Sequence, residues 1–155
     1  MNRTAEILPA QRRALKTYVK LMRSSSSVTA RMHRHLKDEG LTGSQFGVLE
    51  ALHHLGPLCQ REIGSKILKT GGNTTLVIDN LEKHGLVERL QDAHDRRYQR
   101  VNLTSQGQDL IKRVFPRHAD IAQKVFAVLD RDEQEQLGRL LKKLGHTASS
   151  EQIAI

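Results

Sequence analysis

Tryptophan is absent from this chain of 155 residues, and aromatic residues make up only 3% of it. Proteins that grip single-stranded nucleic acid stack bases on aromatic side chains, as do RNA-recognition surfaces, so both classes lose support. One cysteine, Cys59, cannot close an intramolecular disulfide, which excludes a small stapled secreted scaffold. No stretch approaches the roughly 20 apolar residues that a membrane-spanning helix needs. The opening MNRTAEILPAQRRALKTYVK likewise lacks an apolar core of signal-peptide length. A soluble cytoplasmic protein is the expectation. Glycine-rich phosphate loops, paired-carboxylate motifs and Ser/His/Asp or Cys/His patterns in a recognisable context are also missing, so the chain is read as no enzyme and as needing no cofactor.

What is abundant is positive charge. Lys and Arg number 25 against 17 Asp and Glu, a formal net charge of +8 at pH 7. That balance favours a polyanionic partner, nucleic acid before membrane surface. The length suits one domain with a real core and is short for two independent ones.

Residues 9 to about 38 carry Leu15, Tyr18, Val19, Met22, Thr29, Met32 and Leu36 at helical spacing, with Pro9 suited to a first turn. The Ser24–Ser27 tract interrupts this stripe with small hydroxyls, but the phase resumes after it, which predicts a single helix. Gly40 closes it, and Thr42 opens a second helix with Gln45 placed to complete a capping box. Phe46, Leu49, Leu52 and Leu55 follow, and Gly56-Pro57 ends the segment. A third helix is predicted from about Gln60 to Leu68. A turn at 70–73 leads to a fourth helix, with Thr70 as its expected N-cap and Gly85 as its stop. The period then changes from helical to alternating over 87–91 and again over 99–103, around the polar tip Asp92–Arg97, which predicts a two-stranded hairpin. Thr104 caps a helix that Pro116 is expected to kink, residues 130–144 form a last helix, and the tail from Gly145 is expected to fray.

Helix, turn, helix and basic hairpin in this order is the layout of a winged helix-turn-helix, in which one helix enters the major groove and a charged loop reaches sideways. The fold class is therefore mainly α with a small β-hairpin wing (α+β). Three parts are assigned within one compact chain: an N-terminal dimerisation helix (1–38), a DNA-binding lobe (39–105) and C-terminal dimerisation helices (106–155). The stripes at the two ends exceed what a small central lobe can cover, so they are expected to pack on each other and on a second copy.

Four segments carry a resemblance: LTGSQFGVLEAL (41–52), REIGSKI…TTLVIDNLEKHGLVER (61–89), DRRYQRVNLTSQG (95–107) and LDRDEQEQLGRLLKKL (129–144). In this order and combination they resemble the MarR family of bacterial transcription regulators. The resemblance implies a winged-helix homodimer on a pseudo-palindromic operator, usually a repressor, released from DNA by a ligand or by thiol oxidation. A low-specificity architectural DNA binder is the alternative from another class.

On the fourth helix Thr74, Val77, Ile78 and Leu81 share an apolar face, and Gly72, Asn73, Thr75, Leu76 and Asn80 lie opposite. Short polar groups near a helix N-terminus suit base edges and phosphates, or else simply cap the helix. Thr70 would combine capping with DNA contact. Arg96 and Arg97 occupy the hairpin tip. By resemblance one of them enters the minor groove, where narrow geometry deepens the negative potential, and Asp95 orients it. Lys66, Lys69, Arg89 and Arg100 are candidate phosphate contacts.

For the signal, a small organic ligand is the expected effector. By resemblance its pocket lies between the dimer helices and the DNA lobe, with Met22, Ser25, Ser26, Gln45, Phe46, Leu49 and His53 as candidates; plain helix packing is the other account of these residues. Cys59, spaced three residues before Glu62, mimics a capping box and is a candidate redox site, or a weak cap. The eight histidines show no local zinc spacing, and no metal site is assigned; a site across helices, such as His33 or His53 with His118, is left open.

Overall fold

Glycines and hydroxyl caps divide the chain where the sequence places them. The computed structural model describes residues 7–67, 73–92 and 99–150, without the side chains of 147–150. Helix α1 (Pro9–His33) passes into a 3-10 turn (Arg34–Glu39) and is followed by α2 (Gly43–Leu55), β1 (Leu58–Cys59), α3 (Gln60–Lys66) and α4 (Thr74–Lys83). The order continues with β2 (Val87–Gln91), β3 (Gln99–Leu103), α5 (Ser105–Phe126) and α6 (Arg131–Ser150). Gly40, Gly56 and Gly85 adopt φ of 66°, 77° and 70°, a left-handed conformation that side chains resist, and each stands just past a helical segment. The Thr42–Gln45 capping box is complete: the Gln45 N–H donates to Thr42 Oγ1 at 3.1 Å, and the Thr42 N–H donates to Gln45 Oε1 at 2.8 Å.

The structure departs from the sequence expectations at four places. The first α-helix ends at His33, not near residue 38, because the chain tightens into the 3-10 turn that carries His35 and Leu36 into the core. The N-cap of α4 is Asn73, whose side chain accepts the Thr75 N–H at 3.0 Å, so Thr70 does not hold that role. The sheet has three strands in the order β1-β3-β2: the two-residue β1 pairs antiparallel with β3, Leu58 opposite Val101 and Cys59 opposite Arg100. Finally, α6 continues to Ser150, since a lone glycine such as Gly145 costs a helix only about 1 kcal/mol and does not end it.

The core lies in the middle of the chain. Phe46, Val48, Leu49, Ile63, Ile78, Leu81, Val87, Val101, Ile111 and Val114 are buried between α2, α3, α4, the sheet and α5. By contrast α1 has no fully buried residue in the single chain, and Leu15, Tyr18, Val19 and Met22 stand exposed. Leu140, Leu141 and Leu144 of α6 are exposed as well. None of the described helices is long and apolar enough to cross a membrane.

Candidate nucleic-acid interface and adjoining groove

Two short helices meet closely to form the helix-turn-helix. A Cβ added to Gly64 of α3 would lie 3.3 Å from Thr74 Oγ1 at the start of α4, so the glycine permits that approach. Gln60 of α3 donates to the Thr75 hydroxyl, and Asn73 accepts the Thr75 N–H. Ile78 and Leu81 anchor the inner face of α4 in the core, which leaves Asn73, Thr75, Leu76 and Asn80 exposed on the outer face. Leu76 is 64% exposed. Asn73, Thr75, Leu76 and Asn80 thus share one exposed face of α4.

Cations around that surface are differently placed. Arg89, at the root of the wing, is ion-paired with Asp79 and Glu82 of α4. Burial opposes its charge, but hydrogen bonds and attraction from the two carboxylates outweigh burial and hold its pKa above the ordinary arginine value. Arg100 pairs with Asp92 and donates to the Pro57 carbonyl at 3.1 Å. Lys66 is exposed at the end of α3. Lys69, Thr70, Gly72, Asp95, Arg96 and Arg97 lie outside the described residues.

Directly behind the helix-turn-helix a groove of about 550 Å³ runs between α1, α2 and the end of α3. Of the residues expected to line it, only Ser25 and Phe46 do. Leu49 is fully buried in the core, and Gln45 is engaged in the α2 cap. Met22 and Ser26 are exposed elsewhere on α1, while His53 faces α5, with Nδ1 3.3 Å from Gln108 Nε2. The groove instead brings in Thr29, His33, Glu50, His54, Lys66 and Ile67. Four-residue steps from Ser25 to Thr29 to His33 were visible in the sequence, but which face of α1 turns toward α2 was not.

Cys59 is the N-cap of α3 and is partly exposed. Its N–H donates to Glu62 Oε2 at 2.7 Å, completing that half of the predicted capping box. Hydrogen bonds from the Cys59 backbone and side chain lower the Glu62 pKa.

A histidine cluster joins the end of α1, the 3-10 turn and α5. The His118 ring centroid lies 4.3 Å from that of Phe46, 5.1 Å from that of His35 and 6.5 Å from that of His33. His35 is 3% exposed, and among the described residues neither of its ring nitrogens, nor Nδ1 of His118, has a hydrogen-bond partner. Burial, and then the charges His35 and His33 would carry, push the His118 pKa down to about 4; burial also lowers that of His35. Among the described residues no group of three or more His, Cys, Asp or Glu could hold a metal ion.

Comparison with known proteins agrees with this geometry. The sequence profile of the MarR family matches residues 41–98. The HTH-type transcriptional regulator YkoM of Bacillus subtilis is 39% identical over 86% of this chain and 86% of its own length. The HTH-type regulator MhqR of the same organism is 35% identical over 88% of this chain and 94% of its own. Among solved structures, BpsR of Bordetella bronchiseptica, whose DNA binding is regulated by 6-hydroxynicotinic acid, superposes with a TM-score of 0.71 at 27% identity, covering 84% of this chain and 98% of that one.

Proposed function

The chain belongs to the MarR family of DNA-binding transcription regulators, and from that premise we propose that it acts as a homodimeric repressor of a pseudo-palindromic operator, released by a small aromatic acid. The observation that carries this reading is the adjacency of groove and reading face. Lys66 and Ile67, which end α3 and lead toward α4, also form one wall of the groove. A ligand held there between Phe46, Ser25 and Lys66 would bear on α3, which packs against the start of α4 through Gly64 and Gln60. Phe46 offers an aromatic wall, and Lys66 a cation for a carboxylate or phenolate. To act as a switch, such a ligand must bind the released and DNA-bound arrangements with different affinity. The regulation of BpsR by an aromatic acid supports this class of effector.

Two α4 helices in successive major grooves would stand about 34–36 Å apart, one turn of duplex. Selection of bound duplexes from a random-sequence pool, followed by titration of the winner against random DNA, tests the reading. A palindrome preferred by about a thousandfold or more is expected; equal binding to both DNAs would overturn it in favour of an architectural role.

The exposed stripes on α1 and α6 support the dimer. Val19→Glu places a carboxylate amid Leu15, Tyr18 and Met22, where burial without a partner charge costs several kcal/mol. A monomer by sedimentation is expected, with the selected palindrome bound at least tenfold more weakly. An intact dimer would show that α1 is not the interface.

A further inference from the structure

We propose that Arg89 is a positioning residue for DNA recognition: it locks the reading helix α4 to the wing and sets sequence discrimination without touching DNA. This rests on the reading of α4 as the recognition helix. The sequence alone made Arg89 a candidate phosphate contact, since it is a basic residue at the root of a basic wing. Its surroundings point elsewhere.

Arg89 stands opposite Val101 in the sheet, on the inward face, and its side chain is only 19% exposed. From there its two terminal nitrogens reach separate carboxylates, Nη2 to Asp79 and Nη1 to Glu82, and its backbone N–H donates to Glu82 Oε1 at 3.3 Å. Asp79 and Glu82 are three residues apart on α4 and so share one helix face. One cation between two carboxylates leaves the cluster with a net negative charge. A DNA phosphate brought to it would meet repulsion, not a free guanidinium.

On its other side α4 is held by non-directional apolar contacts through Ile78 and Leu81 and, at its first turn only, by the Gln60–Thr75 hydrogen bond. The planar fork of Arg89 adds direction, linking the helix to the strand that leads into the wing. Helix and wing must enter adjacent grooves together for a site to be read, so a helix free to roll loses discrimination before it loses electrostatic attraction.

The test uses the full-length protein, the duplex selected from the random pool and a random duplex, titrated between 50 and 200 mM salt, roughly the range over which phosphate contacts dominate the change in affinity. Arg89→Ala is expected to weaken the selected duplex at least tenfold more than the random duplex, with the salt slope unchanged. The double variant Asp79→Ala/Glu82→Gln, which keeps the arginine, should lose discrimination to the same degree even though its added positive charge strengthens binding to both duplexes. Combining all three substitutions should add nothing, because coupled residues are not additive. Arg89→Lys, which keeps the charge but lacks the planar fork of two separated terminal nitrogens, should recover only part. A drop of about 0.9 in the salt slope with equal losses on both DNAs would make Arg89 a phosphate contact and overturn the proposal. So would undiminished discrimination in the carboxylate double variant, whose exposed positions keep the test alive if Arg89→Ala fails to fold. If the parent itself does not distinguish the two DNAs, the recognition-helix reading fails, visibly and before any variant is compared, and this proposal falls with it.

Discussion

Substituting alanine for Gly107 is expected to destabilise the protein by about 3 kcal/mol or more, at the upper end of what overpacking costs. Gly107 sits in the first turn of α5, where a Cβ would lie 1.9 Å from the Leu86 carbonyl oxygen and 2.9 Å from its carbon. A side chain could swing aside, but this obstacle is backbone, held on every side. The Leu86 oxygen accepts the Thr104 N–H at 3.2 Å, and the Leu86 N–H donates to the Leu81 carbonyl at 3.0 Å. Thr104 caps α5 by accepting the Gly107 N–H at 3.1 Å and donates to the Gly85 carbonyl at 2.6 Å. Any shift large enough for the methyl therefore disturbs the end of α4, the start of β2 and the cap of α5 together.

Urea unfolding of Gly107→Ala beside the parent measures this, with Gly47→Ala as the comparison. A methyl at Gly47 would meet Ile67 Cγ2 at 3.5 Å, an ordinary contact, and alanine favours the helix, so less than about 1 kcal/mol of change is expected there. A Gly107→Ala loss as small as that of Gly47→Ala would show that the α5 junction yields and that the crowding argument is wrong.

Gly107 also illustrates what could be read in advance. The stops at Gly40, Gly56 and Gly85, the Thr42–Gln45 box and the alternation over 87–91 and 99–103 are local signals, and the structure places elements accordingly. The strand Leu58–Cys59 is too short to show a period, and only its pairing with Val101 and Arg100, some forty residues on, makes it a strand. Thr70 and Asn73 were both plausible caps, and the choice depended on where the helical backbone begins. Groove lining failed for a similar reason. Small hydroxyls and a phenylalanine do line the groove, but the rotation of α1 against α2 selects Ser25 over Ser26 and removes Leu49 to the core. Arg89 was legible as a cation and not as an ion-paired one, because its partners lie on a different element.

Acidification from pH 7 to pH 5 is expected to cost about 2 kcal/mol of stability through His118 alone, with His35 adding in the same direction. The ordinary histidine pKa of 6.5 falls to about 4 for His118 in the folded chain. Between those values the unfolded chain binds the proton and the folded chain does not, so stability rises with pH across the window. It is complete above about 6.5 and is lost progressively as the pH falls, reaching about 3 kcal/mol near pH 4. The cause is spatial: Phe46, His35 and His33 surround the ring, Arg117 adds positive charge beside His35, and Asp38, which would favour a charged His35, does not outweigh burial. Glu62, held lower by its bonds to Cys59, contributes little to this interval. Replacing His118 by Phe keeps a ring against Phe46 and removes the proton site. The variant should lose less stability than the parent between pH 7 and pH 5, by about 2 kcal/mol in urea midpoints converted to free energy. Equal losses in the two proteins would show that His118 is protonated as readily in the fold as out of it, and that the cluster around Phe46 admits charge. The expected result would instead mean that a charge on His118 weakens the joint between α1, α2 and α5.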